Sequence, residues 1–330
     1  MIATIAAIFQ RAVAQGIPLL FGSTGEILTE KSGNLNLGIP GIMYVGAISG
    51  VAGSFLYELS LNGNEPNPFL IIGIPLLCCI LGSMFMGLIY CFLTVTLRAN
   101  QNVTGLALTT FGIGIGNFFG GSLINIVKSD VPSISLNETT KFFKTTLPLG
   151  ENINSFEKMF LSYGFLAYLA VIIALIASFV LNRTRVGLNL RAVGENPATA
   201  DAAGINVSRY KYISTCIGSA VAGLGGLYYV MDYANGVWSN DAFGDRGWLA
   251  IALVIFSVWK PAVAILGSIL FGALYVIPYY IPGISISLIK IFEMLPYAVT
   301  ILVLILTSVR RKRETQPPQH LGLSYFREER

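Results

Sequence analysis

Charge is what this sequence has least of. Only 12% of its 330 residues are Asp, Glu, Lys or Arg, against roughly 25% in soluble domains, while 54% are hydrophobic and the mean hydropathy is +0.69. That composition excludes a large soluble core and identifies a polytopic membrane protein. Histidine is almost missing: the single one, His320, lies in a polar tail, so a histidine-based active site or metal centre is excluded from the apolar body. The four cysteines, Cys78, Cys79, Cys91 and Cys216, all sit in apolar runs with neither C-x-x-C nor metal-ligand spacing, and read as small buried hydrophobes. No phosphate-cradling loop is present, because "FGSTGE" (Phe21–Glu26) lacks the lysine that reaches the β/γ phosphates. There is no H-E-x-x-H and no nucleophile motif. The net charge of +4 is not organised into a basic patch interleaved with aromatics, which excludes nucleic acid. The chain reads as a non-enzyme without a cofactor of its own.

What is there is a series of apolar runs long enough to cross a bilayer, each about 17–25 residues. They cover 2–22, 35–57, 69–97, 103–127, 160–182, 211–231, 247–281 and 289–309, and the over-long seventh breaks at "WKP" (Trp259–Pro261) into a short span and a normal one. The expected fold is an all-α polytopic membrane protein of about 8–10 transmembrane helices with broken or re-entrant segments. Residues 1–309 form the membrane domain and 310–330 a basic tail. "MIATIAAIFQ" has no basic n-region, so it reads as a first membrane segment and not a cleaved signal. Arg183, Arg185, Arg191, Arg209 and Lys211 in the loop 183–211, and the run Arg310–Arg313, place that loop and the tail in the cytoplasm. Counting back leaves the N-terminus outside, or else the first segment re-entrant or interfacial.

Four polar stretches interrupt the apolar pattern. In "RAVGENPATADAAGINV" (Arg191–Val207), Asn196 is an N-cap, Pro197 suits the first helical position and Gly204 the C′ position, so the spacing predicts a helix of about two turns. A plain connector needs only about 2–8 residues; a longer loop built around a capped helix suggests that something docks there. "GEILTEKSGNLNLGIPG" (Gly25–Gly41) carries Glu26, Glu30, Lys31, Asn34 and Asn36 among glycines. It reads as an unwound, cavity-lining segment or as a short cytoplasmic turn. "DYANGVWSNDAFGDRGW" (Asp232–Trp248) leads into the short segment as a dipping loop would. Trp238, Phe243 and Trp248 there suit stacking on a planar ligand, and Asn240 and Asp241 suit hydrogen bonds to its edge; an interfacial aromatic belt is the alternative. In the fourth span Thr104, Thr109, Thr110 and Asn117 make a polar trace, suited to solute contact or to helix packing. "GSMFMG" (Gly82–Gly87) and "GSAVAGLGG" (Gly218–Gly226) read as close helix packing, and "NET" (Asn137–Thr139) matches the glycosylation pattern.

Three stretches together carry a resemblance: "PLLFGSTGEILTEKSGNLNLGIPGIMYVGA" (Pro18–Ala47), "GLNLRAVGENPATADAAGINVSRYKY" (Gly187–Tyr212) and "GDRGWLAIALVIFSVWKP" (Gly244–Pro261). Over about residues 17–310 the chain resembles the permease family of bacterial ABC importers for nucleosides and simple sugars, within the group that includes branched-chain amino acid and ribose permeases. The resemblance implies that Gly194, Glu195, Asn196, Pro197, Ala200, Ala203 and Gly204 form a coupling segment for a cytoplasmic ATPase, which carries ATP and Mg²⁺. It further implies a second homologous permease, an extracellular substrate-binding lipoprotein, a small-molecule solute and a place in the bacterial plasma membrane. A solute path by alternating access would be lined by Asn34, Asn36, Thr109, Asn117, Trp238, Asn240, Phe243 and Trp248. This chain has Pro40 where many relatives carry an acid. Nucleoside is favoured over a ribose-like sugar or riboflavin. A gradient-driven transporter using Glu26, Glu30 or Glu293 is the alternative of another class.

Overall fold

The computed structural model describes residues 2–61, 64–127, 134–145, 159–241, 243–310 and 316–326. Hydrocarbon offers the backbone no hydrogen-bond partners, so the apolar runs close their bonds internally as helices. Those helices are α1 (Ile2–Glu30), α2 (Ile39–Ser60), α3 (Pro68–Cys91, continued by a π turn Phe92–Thr96), α4 (Gln101–Val127) and α5 (Asn137–Phe143). There follow α6 (Phe165–Arg183), α7 (Arg185–Glu195), α8 (Pro197–Ala202), α9 (Val207–Tyr228, with a π turn Tyr229–Tyr233), α10 (Arg246–Phe256), α11 (Pro261–Val276) and α12 (Ile286–Arg310). Among the described residues eight helices are long and apolar enough to span, and α10 is a shorter apolar helix beside them. This is an all-α polytopic membrane fold.

The first helix corrects the sequence reading. It runs unbroken through Pro18 to Glu30 and supplies a span of 26 residues, so it is neither re-entrant nor interfacial, and Gly25–Glu30 are helix, not an unwound segment. The reason is packing. A Cβ at Gly25 would stand 2.2 Å from the Gly218 carbonyl oxygen, so the glycine marks helix-on-helix contact with α9. The backbone leaves the helix only at 31–38, where Gly33 takes φ +86°.

The same device repeats through the interior. A Cβ at Gly46 would meet the Gly223 Cα at 2.6 Å, and one at Gly112 the Gly41 oxygen at 2.5 Å. Thus α1, α2, α4 and α9 meet with backbones nearly touching, as the small-residue stretches predict. These contacts bury α9 and α2 most deeply, whereas α12 is left almost wholly to lipid.

The end of α1 lies against α7: a Cβ at Gly194 would fall 2.3 Å from the Lys31 oxygen. Its beginning lies at the opposite side, where Gln10 Nε2 donates to Ser162 Oγ (3.1 Å) and Phe9 packs on Phe160 (5.6 Å). The arginine-rich α7–α8 segment and the start of α1 thus lie at opposite ends of the bundle. At the end where α1 starts, β1 (Ile134–Ser135) pairs antiparallel with β2 (Val237–Trp238), Ile134 opposite Trp238. There too the "NET" stretch begins α5, and Thr139 donates from its N–H (2.8 Å) and hydroxyl (2.7 Å) to the Glu58 carboxylate.

Candidate functional site

The short helix α10 brings a buried arginine into the apolar body of the chain. Eleven residues rise only ~16 Å, about half of a ~30 Å hydrocarbon core, so α10 cannot span. Its last turn passes into the "WKP" break, where Trp259 Nε1 donates to the Glu30 carboxylate at the inner end of α1. Its first residue, Arg246, meets Gln15, which stands about 22 Å back along α1 from Glu30. The start of α10 therefore places an arginine beside the interior of α1, well away from either end of that spanning helix. Intramembrane arginines are costly and mark functional positions.

Arg246 is only 7% exposed. Its Nη1 donates to the Phe243 carbonyl at 2.9 Å. With the Gln15 amide turned so that its nitrogen donates to the Tyr233 hydroxyl (3.1 Å), the amide oxygen accepts from Arg246 Nε and Nη2, both at 3.3 Å. The guanidinium lies over Tyr229 (4.5 Å), Tyr233 (5.2 Å) and Tyr275 (5.6 Å). Phe243 joins this cage to a second aromatic layer, with centroids 4.6 Å from Tyr229, 4.7 Å from Tyr44 and 6.1 Å from Trp238. Burying the cation is sustained by donors satisfied on carbonyl and amide oxygens and by ring quadrupoles on its faces. The result is a closed cluster in which aromatic rings pack on one another around a guanidinium whose donors are engaged on Phe243 and Gln15.

The arginine-rich stretch 183–211 holds two short helices, α7 and α8, between the spans α6 and α9. Thr184 caps α7 by accepting from the Gly187 N–H (3.1 Å), and Asn196 caps α8 by accepting from Thr199 (3.0 Å) with Pro197 at the first position. Gly204 takes φ +82°, donating to the Asp201 oxygen (2.9 Å) while Ile205 donates to Ala200 (3.0 Å), which closes α8. Ala200 is buried against Val193 and Val207, with Tyr325 packed on them, whereas Glu195, Asn196, Ala203 and Gly204 face outward.

Tyr325 belongs to the tail, which is no loose basic extension over 316–326. The His320 N–H donates to the Gly194 oxygen (3.0 Å) and the Gly322 N–H to that of Gly33 (3.2 Å). Gln101 Nε2 donates to the Leu323 oxygen (3.2 Å), Tyr325 donates to the Asp201 carboxylate (3.0 Å) and Arg98 lies over the Phe326 ring (4.7 Å). The strap thus ties α8 to the α1–α2 and α3–α4 turns. Partial burial, and then the nearby Lys211 charge, hold the His320 imidazole below its usual 6.5.

Comparison with known proteins gives this arrangement its context. Residues 8–304 match the family described as the permease component of the branched-chain amino acid transport system. The chain belongs to that permease family. The permease is 34% identical to the nucleoside ABC transporter permease protein NupC of Lactococcus lactis, over 92% of each chain. It is 29% identical to the putative glucose ABC transporter permease protein TsgC13 of Haloferax volcanii, over 86% of this chain and 80% of that one. It is also 29% identical to the guanosine ABC transporter permease protein NupQ of Bacillus subtilis, over 87% of each.

The sequence-derived path residues of the permease fall into two groups. Trp238 and Phe243 lie in the outer aromatic layer, both almost wholly buried, with the Trp238 indole against Gly120. Asn117 Nδ2 donates to the Asp241 carboxylate (2.9 Å) beside them, Trp248 is half-buried in the first turn of α10, and Asn240 is exposed. Asn34, Asn36 and Thr109 lie instead at the inner end. There Asn34 donates to Thr215 (3.0 Å), Asn36 accepts from the Gly38 N–H (2.9 Å) and Thr109 donates to the Leu37 oxygen (2.7 Å). Sequence reasoning missed Gln15, Tyr44, Tyr229, Tyr233 and Arg246, although an arginine beside an apolar run in "GDRGW" was a usable signal.

Proposed function

We propose that this permease is the membrane-spanning subunit of an ATP-driven importer of nucleosides in the bacterial plasma membrane. The observation that carries the reading is the buried Arg246–aromatic cluster inside the helix bundle, in a chain whose family and relatives are solute permeases. On solute binding the rings of Tyr229, Phe243 and Tyr44 part to admit a base, and the guanidinium exchanges its bonds to Phe243 and Gln15 for the base's carbonyl or ring-nitrogen acceptors. A sugar without a planar ring uses the donors but not the rings, which favours nucleoside over a ribose-like solute. The chain carries no cofactor and does no covalent chemistry; ATP and Mg²⁺ belong to a separate cytoplasmic ATPase. Glu195, Asn196 and Ala203 form the outward surface of the segment that the ATPase engages. An extracellular binding protein delivers the solute to the β1–β2 side.

A second, related permease completes the pathway. The outward stripe of α4 supports this pairing: Thr110 and Gly114 are exposed, and open space surrounds Gly114 and Gly121, a surface made for a close helix and not for lipid. The buried Glu26 and Glu30 carry the gradient-driven alternative; one Glu26 oxygen accepts from the Asn36 N–H (3.0 Å) and Glu30 accepts from the Trp259 indole, while the other Glu26 oxygen has no hydrogen-bond partner among the described residues.

The test is purification of the tagged chain from its native membrane in mild detergent, with mass spectrometry of the associated proteins. An ATPase and a second permease are expected. A chain that comes out alone under conditions that keep a control importer intact overturns the reading in favour of the gradient-driven transporter.

A further inference from the structure

Between α6, α7 and α9 a cavity of about 740 Å³ opens onto the side of the bundle. Its walls are apolar and uncovered: Ile176 is 56% exposed, Val186 59%, Ile213 48% and Ile217 50%. Side chains so exposed on spanning helices face hydrocarbon. The polar groups in the wall are turned to one another or to the backbone: Ser214 donates to the Lys211 oxygen (3.1 Å) and Asn189 Nδ2 to the Tyr210 hydroxyl (2.9 Å).

The dimensions of the groove match one leaflet. Along α9 the lining runs from Arg209 to Val221, about 18 Å of helix, and half of a bilayer's hydrocarbon core is about 15 Å. Its closed end lies near the midplane and its mouth at the cytoplasmic interface. Asn206 and Arg209 stand at that mouth. Asn206 is occupied in capping α9, accepting from the Arg209 N–H at 2.9 Å. The Arg209 guanidinium is exposed and makes no ion pair or hydrogen bond among the described residues. Arg183 and Arg185, both exposed, flank the lining residues Val180 and Val186 on the same rim.

We propose that this groove is a binding site for an anionic phospholipid of the cytoplasmic leaflet, one acyl chain lying along Ile213 and Ile217 and the phosphate against Arg209. An apolar cleft of leaflet length with an unpaired cation at its interfacial end complements that molecule in both shape and charge. A second permease does not fit as well: the helix surface suited to a protein neighbour is the small-residue stripe of α4, whereas the α6–α9 groove is deep and lined by branched aliphatics. The site bears on coupling, because Gly204 and Ile205 at the exit of α8 form part of its wall. A lipid seated there braces the α7–α8 segment against α6.

The experiment uses the complex as purified from the membrane, reconstituted into nanodiscs of equimolar phosphatidylglycerol and phosphatidylcholine. After transfer to detergent, retained lipid is measured by native mass spectrometry. The wild type is expected to retain phosphatidylglycerol over phosphatidylcholine by about fivefold. Arg209→Gln should keep a lipid but lose the preference, and Ile213→Trp, which fills the groove, should lose the lipid. Arg209 is exposed, so its variant assembles even if Ile213→Trp does not. Equal retention of the two lipids by the wild type, or an unchanged preference in Arg209→Gln, overturns the proposal. So does efficient cross-linking of I213C to another permease chain, which would make the groove a protein interface.

Discussion

The buried cluster around Arg246 and the cytoplasmic α7–α8 segment are both polar interruptions of an apolar chain, and they are built in opposite ways. Arg246 draws partners from stretches far apart in sequence: Gln15 on α1, Tyr229 and Tyr233 after α9, and Tyr275 on α11. The α7–α8 segment is framed by bonds three to five residues long, at Thr184, Asn196 and Gly204. A cation in the membrane interior must be compensated from every side, so its surroundings are assembled by the whole fold. A segment in water forms from local caps, and its outer face remains free to vary with its partner.

That contrast can be broken at graded cost. Arg246→Ala should have the largest effect, lowering initial nucleoside uptake by about 10–100-fold at equal membrane abundance, the loss of a charged hydrogen-bonding group. Arg246→Lys should not restore it, because a lysine cannot reproduce the planar stacking on Tyr229 and Tyr233. Normal uptake in Arg246→Ala would remove the cluster from the solute path. Next, Ala203→Glu should leave insertion and fold intact yet uncouple ATP hydrolysis from transport, while Ala200→Glu should also lower thermal stability because its side chain enters the Val193–Val207 contact. Identical behaviour of the two would show that the segment is not docked through its outward face. Gly194→Leu should cost about 1–3 kcal/mol by driving α7 from the Lys31 carbonyl, read as a lower melting temperature of the complex in detergent.

The smallest effect concerns the strap. Because the docked tail holds His320 below 6.5, the released tail binds protons more readily, and docking weakens as pH falls through 6.5 and below. Limited proteolysis at the tail should therefore quicken in mild acid, and His320→Gln should flatten that dependence.

What was legible in the sequence follows the same division. The cap, first-turn proline and closing glycine of α8 were readable because their bonds are local. The short helix α10 was readable because 247–281 is too long for one span and breaks at Pro261. The continuity of α1 was not, since Gly25 looks like a helix breaker until Gly218 of α9 is set against it. Nor was the separation of the polar residues into two groups: Asn34, Asn36 and Thr109 lie near the end of α1, bonded to Thr215, Gly38 and Leu37, with Asn34 Oδ1 and Asn36 Nδ2 left without a partner among the described residues. The strap escaped notice because a charged, proline-containing tail carries no periodic pattern, and its bonds are to turns distant in sequence.

The backbone contacts at Gly25, Gly46, Gly112, Gly194 and Gly226 bear finally on how such a gene can change. At each of them an added Cβ would lie within 2.6 Å of a main-chain atom. Every amino acid that can replace glycine carries a Cβ, so these positions have no neutral substitution, only synonymous change. Drift in the helices that carry them must pass around those sites, and the relative placement of α1, α2, α4, α7 and α9 is inherited almost as a unit, while the lipid-facing surface of α12 is left open to exchange.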